Sequence, residues 1–188
     1  EAGPVAAPQL PPQFGRAEQI TVAYGHGMAV APIQFAAATA AIINGGTRVT
    51  PTYFRGRSDA PASTRVVSAE TSNSLRGLLR RNVSEPIGTG RRADVPGYRV
   101  GGKTGTAEMP GRGGYMEKAV VASFLAAFPM DDPKYLVLVL LFEPKGTSES
   151  AGEVLAGRNA APTAGRVIAR IAPLLGVKPA ADVAQLPN

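Results

Sequence analysis

The sequence predicts an α+β domain, an antiparallel sheet of three strands flanked by helices. Three observations predict it. Two apolar runs, residues 119–128 and Tyr135–Phe142, are joined through Pro129-Met-Asp-Asp-Pro133, a turn composition that favours an antiparallel hairpin. An alanine-rich run from Pro32 to Ile43 ends at Asn44-Gly-Gly46, where a helix would stop. Val167, Ile168, Ile171, Leu174 and Leu175 recur at helical spacing near the C-terminus. At 188 residues and 44% hydrophobic content, the chain lies in the range of one domain and can bury a core.

Each element has its own reason. Residues 1–14, with Pro4, Pro8, Pro11 and Pro12, read as an extended connector to a domain spanning 15–177. Pro32 is pre-set for a first helical turn, and the apolar character of the run behind it implies burial between other elements. Residues 48–54 are short and extended. Ser68 reads as the N-cap of a second helix, marked by Thr71, Leu75, Leu78 and Leu79 and running toward Asn82. A loop broken by glycine and proline then leads to a short strand from Tyr98 to about Thr106. Val137-Leu-Val-Leu-Leu141 is apolar on both faces, so each face needs cover, and the C-terminal helix stripe can supply one. The segment 178–188 reads as a flexible tail.

Composition excludes several classes. No apolar run approaches the length of a membrane helix. Without cysteine and with a single histidine, a disulfide framework is excluded and a transition-metal site is disfavoured. The net charge of +6 favours anionic surroundings, but the basic residues are scattered, with doublets only at Arg80-Arg81 and Arg91-Arg92. With aromatics at 6%, that pattern argues against nucleic-acid recognition and for solvated arginines.

The strongest chemical signal is Val100-Gly-Gly-Lys-Thr-Gly-Thr-Ala107, for which two chemistries compete. Read from Gly97, the stretch to Thr104 satisfies the phosphate-loop pattern G-x-x-x-x-G-K-[ST]. A phosphate loop must follow a buried strand and open a helix, whose free N–H groups hold the phosphates. Here loop-like residues 91–97 precede the pattern, and Pro110 with three glycines up to Gly114 disfavours a helix after it. Read from Lys103, the stretch is the Lys-Thr-Gly element of serine transpeptidases and β-lactamases. Lys103 supplies positive charge and a proton donor for a carboxylate, and the hydroxyls of Thr104 and Thr106 can bind that carboxylate and a substrate amide. Gly105 and its neighbouring glycines let a substrate backbone lie close. A surface strand with an incidental Lys-Thr-Gly is the plain alternative.

The rest of the chain resembles the C-terminal part of the transpeptidase domain of class B penicillin-binding proteins, especially the septal type. Residues 19–35, holding Tyr24-Gly-His-Gly27 and Ala31-Pro-Ile-Gln34, resemble the family's SYGYG…VTPLQ segment, and Asn44-Gly-Gly46 ends the helix that follows. Gly88-Thr-Gly90, Ala93 and Pro96-Gly-Tyr-Arg-Val100 resemble its GTG…A…PGYRVAGKTGTA run. Ala122-Ser-Phe-Leu125, residues 129–133 and the Tyr135–Phe142 run resemble the paired strands that come next, and Ala160-Ala-Pro162 the closing helix. The resemblance covers roughly residues 15–177 and implies the penicillin-binding protein/serine β-lactamase-like fold.

One departure qualifies it. No serine here is followed three places later by lysine, and no Ser-x-Asn occurs. The family carries both elements upstream of Tyr24-Gly-His-Gly27, so the chain is expected to be the C-terminal portion of a longer polypeptide and inactive alone. The resemblance implies D,D-transpeptidation of peptidoglycan stem peptides ending in D-Ala–D-Ala, binding of β-lactams at the same place, and no cofactor. Lys103 would be catalytic and substrate-binding, with Thr104, Gly105 and Thr106 binding substrate. Implied partners are the upstream part of the same protein and division proteins, at the periplasmic face of a bacterial inner membrane. The family's sheet has five strands, two of them from upstream sequence. The Tyr135–Phe142 strand is therefore expected to have an edge filled by that upstream part or by a second copy. His26 resembles no catalytic position. Tyr24 and Tyr98 read as core or wall residues, Glu108 and Arg112 as surface charge, and the Thr89 segment as either cleft lining or a plain turn.

Overall fold

The computed structural model describes residues 5–54, 64–111 and 114–180, with side chains of these outside 110–118. In chain order its elements are helices α1 (Arg16–Ala23), α2 (Pro32–Ile43) and α3 (Ala69–Ser84), strands β1 (Gly101–Gly111), β2 (Gly114–Phe128) and β3 (Tyr135–Phe142), and helix α4 (Ala160–Leu174). Short 3₁₀ turns occupy Arg91–Ala93 and Ala156–Arg158. The strands form one antiparallel sheet in the order β1-β2-β3. This is the expected α+β arrangement, with the hairpin closing from Phe128↔Tyr135 to Val121↔Phe142.

Strand alternation sorts β2 into two faces. Ala122, Phe124, Ala126 and Phe128 are buried against Ala160, Ala161, Ala164, Ile168 and Ala172 of α4. The alanines let the helix approach the sheet closely, and Ile168 fills the space between. On the opposite face, Ala127 and Met130 meet Ile43 of α2, with Ile42, Leu79 and Leu136 packed around them. Both faces of β3 thus gain neighbours, as its unbroken apolar run requires. No strand pairs with its outer edge among the described residues. None of the described helices is long and apolar enough to cross a membrane.

Helix boundaries follow local chemistry. Pro32 opens α2, where the Gln34 side chain accepts from the Ala31 N–H at 2.9 Å. Gly45 and Gly46 stop it with φ of 98° and 94°, and a Cβ at Gly46 would lie 2.0 Å from the Val67 carbonyl oxygen. Ser68 caps α3, its Oγ accepting from the Thr71 N–H at 3.0 Å. Replacing Ser68 with alanine should therefore cost about 1 kcal/mol, read as a lower urea midpoint with an unchanged slope.

Some expectations differ from the structure. α1 was not anticipated: it buries no residue, and its Gly15 cap makes no side-chain bond, so little in the sequence marks it. α2 buries only Ala41 and Ile43, because its other face lines an open apolar groove with residues 48–51, Thr64, Val66 and Val67. Tyr24 is 71% exposed rather than a core residue, and its ring stacks on His26 in the turn after α1. Tyr98 does pack against the core. β1 starts at Gly101 rather than Tyr98, since Gly97 and Arg99 take positive φ and the Arg99 carbonyl accepts from Met130. It runs on past Thr106 because β2 is long enough to pair it, with a register shift between Glu108 and Pro110. Proline has no N–H to give the ladder.

The described part of the proline-rich segment is anchored to the rest of the chain. Gln9 exchanges backbone bonds with Ala29 at 2.8 and 3.0 Å, and Gln34 Nε2 donates to the Ala6 carbonyl. Of the segment read as a tail, residues 178–180 lie against the loop before β1, where the Ala180 N–H donates to the Gly97 carbonyl at 2.8 Å. Residues 181–188 and Arg112 lie outside the described residues.

Candidate active site

β1 is an outer strand of the sheet, and it carries Lys103, Thr104, Gly105 and Thr106. In an antiparallel ladder, main-chain groups point alternately toward the partner strand and away from it. The carbonyls of Gly102 and Thr104 point away from β2: Asn82 Nδ2 donates to the first at 2.8 Å and Lys103 Nζ to the second at 2.9 Å. Thr106 shares their orientation by the same alternation, so its main chain faces the free edge. Lys103 is exposed, and its ammonium lies along that edge.

Side chains behind the strand hold it in place. Arg80 of α3 donates to the Val100 carbonyl at 2.6 Å and pairs with Asp94 at 2.7 Å, bracing the loop that leads into β1. Two residues on, the Asn82 amide makes three contacts. Its nitrogen donates to Gly102, while its Oδ1 accepts from the Thr89 N–H at 3.2 Å and from Thr89 Oγ1 at 3.0 Å. A carbonyl partner on one side and an N–H partner on the other fix the amide's orientation. Thr89 Oγ1 also lies 2.9 Å from Thr104 Oγ1, which accepts from Lys103 Nζ at 3.4 Å.

The strand's other hydroxyl is engaged differently. Thr106 Oγ1 accepts from the Ala156 N–H at 3.3 Å, which leaves its own proton available. Between β1 and the 156–158 turn lies a cleft of about 330 Å³, lined by Thr89, Thr104 and Thr106, by Arg91, Arg92 and Arg158, and by Glu153, which pairs with Arg158 at 3.5 Å. The Thr106 hydroxyl, whose proton is free, beside guanidinium groups suits an anion. Gly157 closes the cleft wall, and a Cβ there would lie 2.8 Å from the Thr89 carbonyl oxygen. Gly157→Ala should cost about 1–3 kcal/mol in denaturant unfolding. An unchanged midpoint would show that the turn moves aside freely.

The structure therefore brings all four of the expected site residues to one edge. It adds Asn82, which carried no signal, and places Thr89, read as cleft lining or a plain turn, in the cleft wall. Glu108 is exposed within β1, consistent with surface charge.

A three-stranded antiparallel sheet with Lys-Thr-Gly on an outer strand and a long closing helix behind it defines a class, the penicillin-recognising transpeptidase fold. Residues 4–163 match the penicillin binding protein transpeptidase domain, and the chain belongs to this family. It is 41% identical over 192 residues to the Caulobacter vibrioides protein named probable peptidoglycan D,D-transpeptidase FtsI, covering 97% of this chain and 32% of that protein. It is 43% identical over 178 residues to stage V sporulation protein D of Bacillus subtilis, covering 89% of this chain and 26% of that one. Penicillin-binding protein 3 of Mycobacterium tuberculosis, solved in complex with ampicillin, superimposes with a TM-score of 0.78 at 28% identity, over 95% of this chain and 42% of that chain. The chain thus spans about a third or less of the length of the two sequence relatives.

Proposed function

We propose that this chain is the C-terminal part of a peptidoglycan D,D-transpeptidase that cross-links stem peptides during septal wall synthesis. The observation that carries the reading is the Lys103-Thr104-Gly105-Thr106 edge, with its ammonium held along the free side of β1. A stem peptide ending in D-Ala–D-Ala would lie extended along that edge, main chain to main chain. Lys103 would attract the terminal carboxylate and ease proton movement around the nucleophile. Thr104 and Thr106 contribute hydroxyls to the cleft beside that edge, and Gly105 keeps the strand free of a Cβ that would lie 2.5 Å from Ser123 Oγ.

The nucleophile is a serine from the upstream part of the protein, on the Ser-x-x-Lys element that this chain lacks. Its oxygen attacks the amide carbonyl between the two D-alanines, an ester bond forms, and the terminal D-Ala leaves with its nitrogen protonated. The N–H of Thr106 would stabilise the oxyanion. An amine from a neighbouring stem then displaces the serine oxygen, which regains its proton. β-Lactams acylate the same serine because they imitate the D-Ala–D-Ala end, and no cofactor enters the reaction. The complete protein would be anchored in a bacterial inner membrane, act at its periplasmic face and work with other division proteins.

The absence of Ser-x-x-Lys from this chain favours a second reading, a non-catalytic scaffold with the same fold. Intact-mass spectrometry after incubation with benzylpenicillin separates the two. The complete polypeptide should gain the drug's mass on a single serine, and residues 1–188 alone should gain nothing. A complete polypeptide that stays unmodified at saturating drug would contradict the enzymatic reading and leave the scaffold.

A further inference from the structure

We propose that Thr89 is a positioning residue for the anion site: by accepting the Thr104 proton it turns the Thr104 oxygen toward Lys103 and fixes the ammonium at the strand edge. The inference rests on the transpeptidase reading and follows from counting protons. Asn82 Oδ1 can only accept, so the Thr89 hydroxyl spends its single proton there, at 3.0 Å. The contact of 2.9 Å between Thr89 and Thr104 can then be satisfied only with Thr104 donating. Lys103 Nζ has no lone pair, so at 3.4 Å it donates to Thr104 Oγ1, the same direction of travel.

The result is a one-way chain of donors from Lys103 through Thr104 and Thr89 to Asn82. Asn82 returns to β1 through the Gly102 carbonyl. In such a chain each bond polarises the next. The ammonium lies 2.9 Å from the Thr104 carbonyl oxygen and 3.4 Å from its hydroxyl, which leaves at least one of its three protons for a ligand carboxylate. Thr106, whose oxygen accepts from Ala156, has a proton free to join it. Thr104 thus anchors the lysine, while Lys103 and Thr106 are the groups that grip the anion. If Thr89 could not accept, the Thr104 proton would lose its protein partner and the Thr104 oxygen would no longer be held toward the ammonium.

Thr89→Val keeps the side chain's shape and the backbone bond to Asn82 but removes both the acceptor for Thr104 and the donor to Asn82. The test is made in the complete polypeptide, comparing acylation by benzylpenicillin with acylation by its methyl ester, followed by intact mass. Preference for the free carboxylate should fall about tenfold in Thr89→Val, the scale of one charge-assisted hydrogen bond. Thr89→Ser should keep most of that preference. Equal losses for acid and ester, or no loss at all, would overturn the role of Thr89 while leaving the enzymatic reading intact. A wild-type polypeptide that neither compound acylates would remove both.

Discussion

Replacing Lys103 with methionine is expected to lower benzylpenicillin acylation of the complete polypeptide by ~100-fold or more, on the scale of losing one donor aimed at developing charge. Methionine keeps the length of the side chain and loses the ammonium. Lys103 is exposed on an outer strand and its polar contacts are to its neighbour Thr104, so removing the charge should change stability by only about 0.5 kcal/mol. The separation is the point: acylation falls steeply while the denaturant midpoint barely moves. Parallel losses of both would mean that Lys103 serves the fold rather than the chemistry.

Phe124→Ala is expected to do the reverse, acting first on the fold. Phe124 is fully buried at the centre of β2, opposite Thr104 in the sheet register. Its ring fills space that a Cβ at Gly102 or Gly90 would need, at 2.7 and 3.0 Å. Deleting a ring at such a site costs about 3–5 kcal/mol, much of the roughly 5–15 kcal/mol that holds a domain folded. Urea unfolding of residues 1–188 should show the loss directly. Because the ring also supports Gly90 and Gly102, the Thr89–Thr104 contact should loosen in whatever remains folded. A cost below about 1 kcal/mol would mean that the β1-β2 face collapses into the gap and is not the centre of the core.

The legible part of this structure is the part governed by local rules. α2 was readable to its end residues because a proline opens it and two glycines close it, and β3 because an apolar run is bounded by turns. The Ser68 cap needed only one side chain and the N–H three residues on. The Lys-Thr-Gly edge could be read because its residue types imply their chemistry wherever they occur. α1 could not be read, since it buries nothing and its sequence shows no clear stripe. Asn82 was hidden for a different reason. On α3 it is an ordinary polar residue, and its importance arises only when Gly102 and Thr89, 20 and 7 positions away, fold against it. The exposure of Tyr24 and of one face of α2 likewise depends on which neighbours the described chain supplies.

The central claim is that the free edge of β1 receives the ligand's carboxylate. A crystal structure of the complete polypeptide acylated by benzylpenicillin tests it most directly. The account predicts the drug's carboxylate within hydrogen-bonding distance of Lys103 Nζ and Thr106 Oγ1, with the drug's amide along the strand. An adduct whose carboxylate lies away from both, with Lys103 still turned onto Thr104, would contradict it.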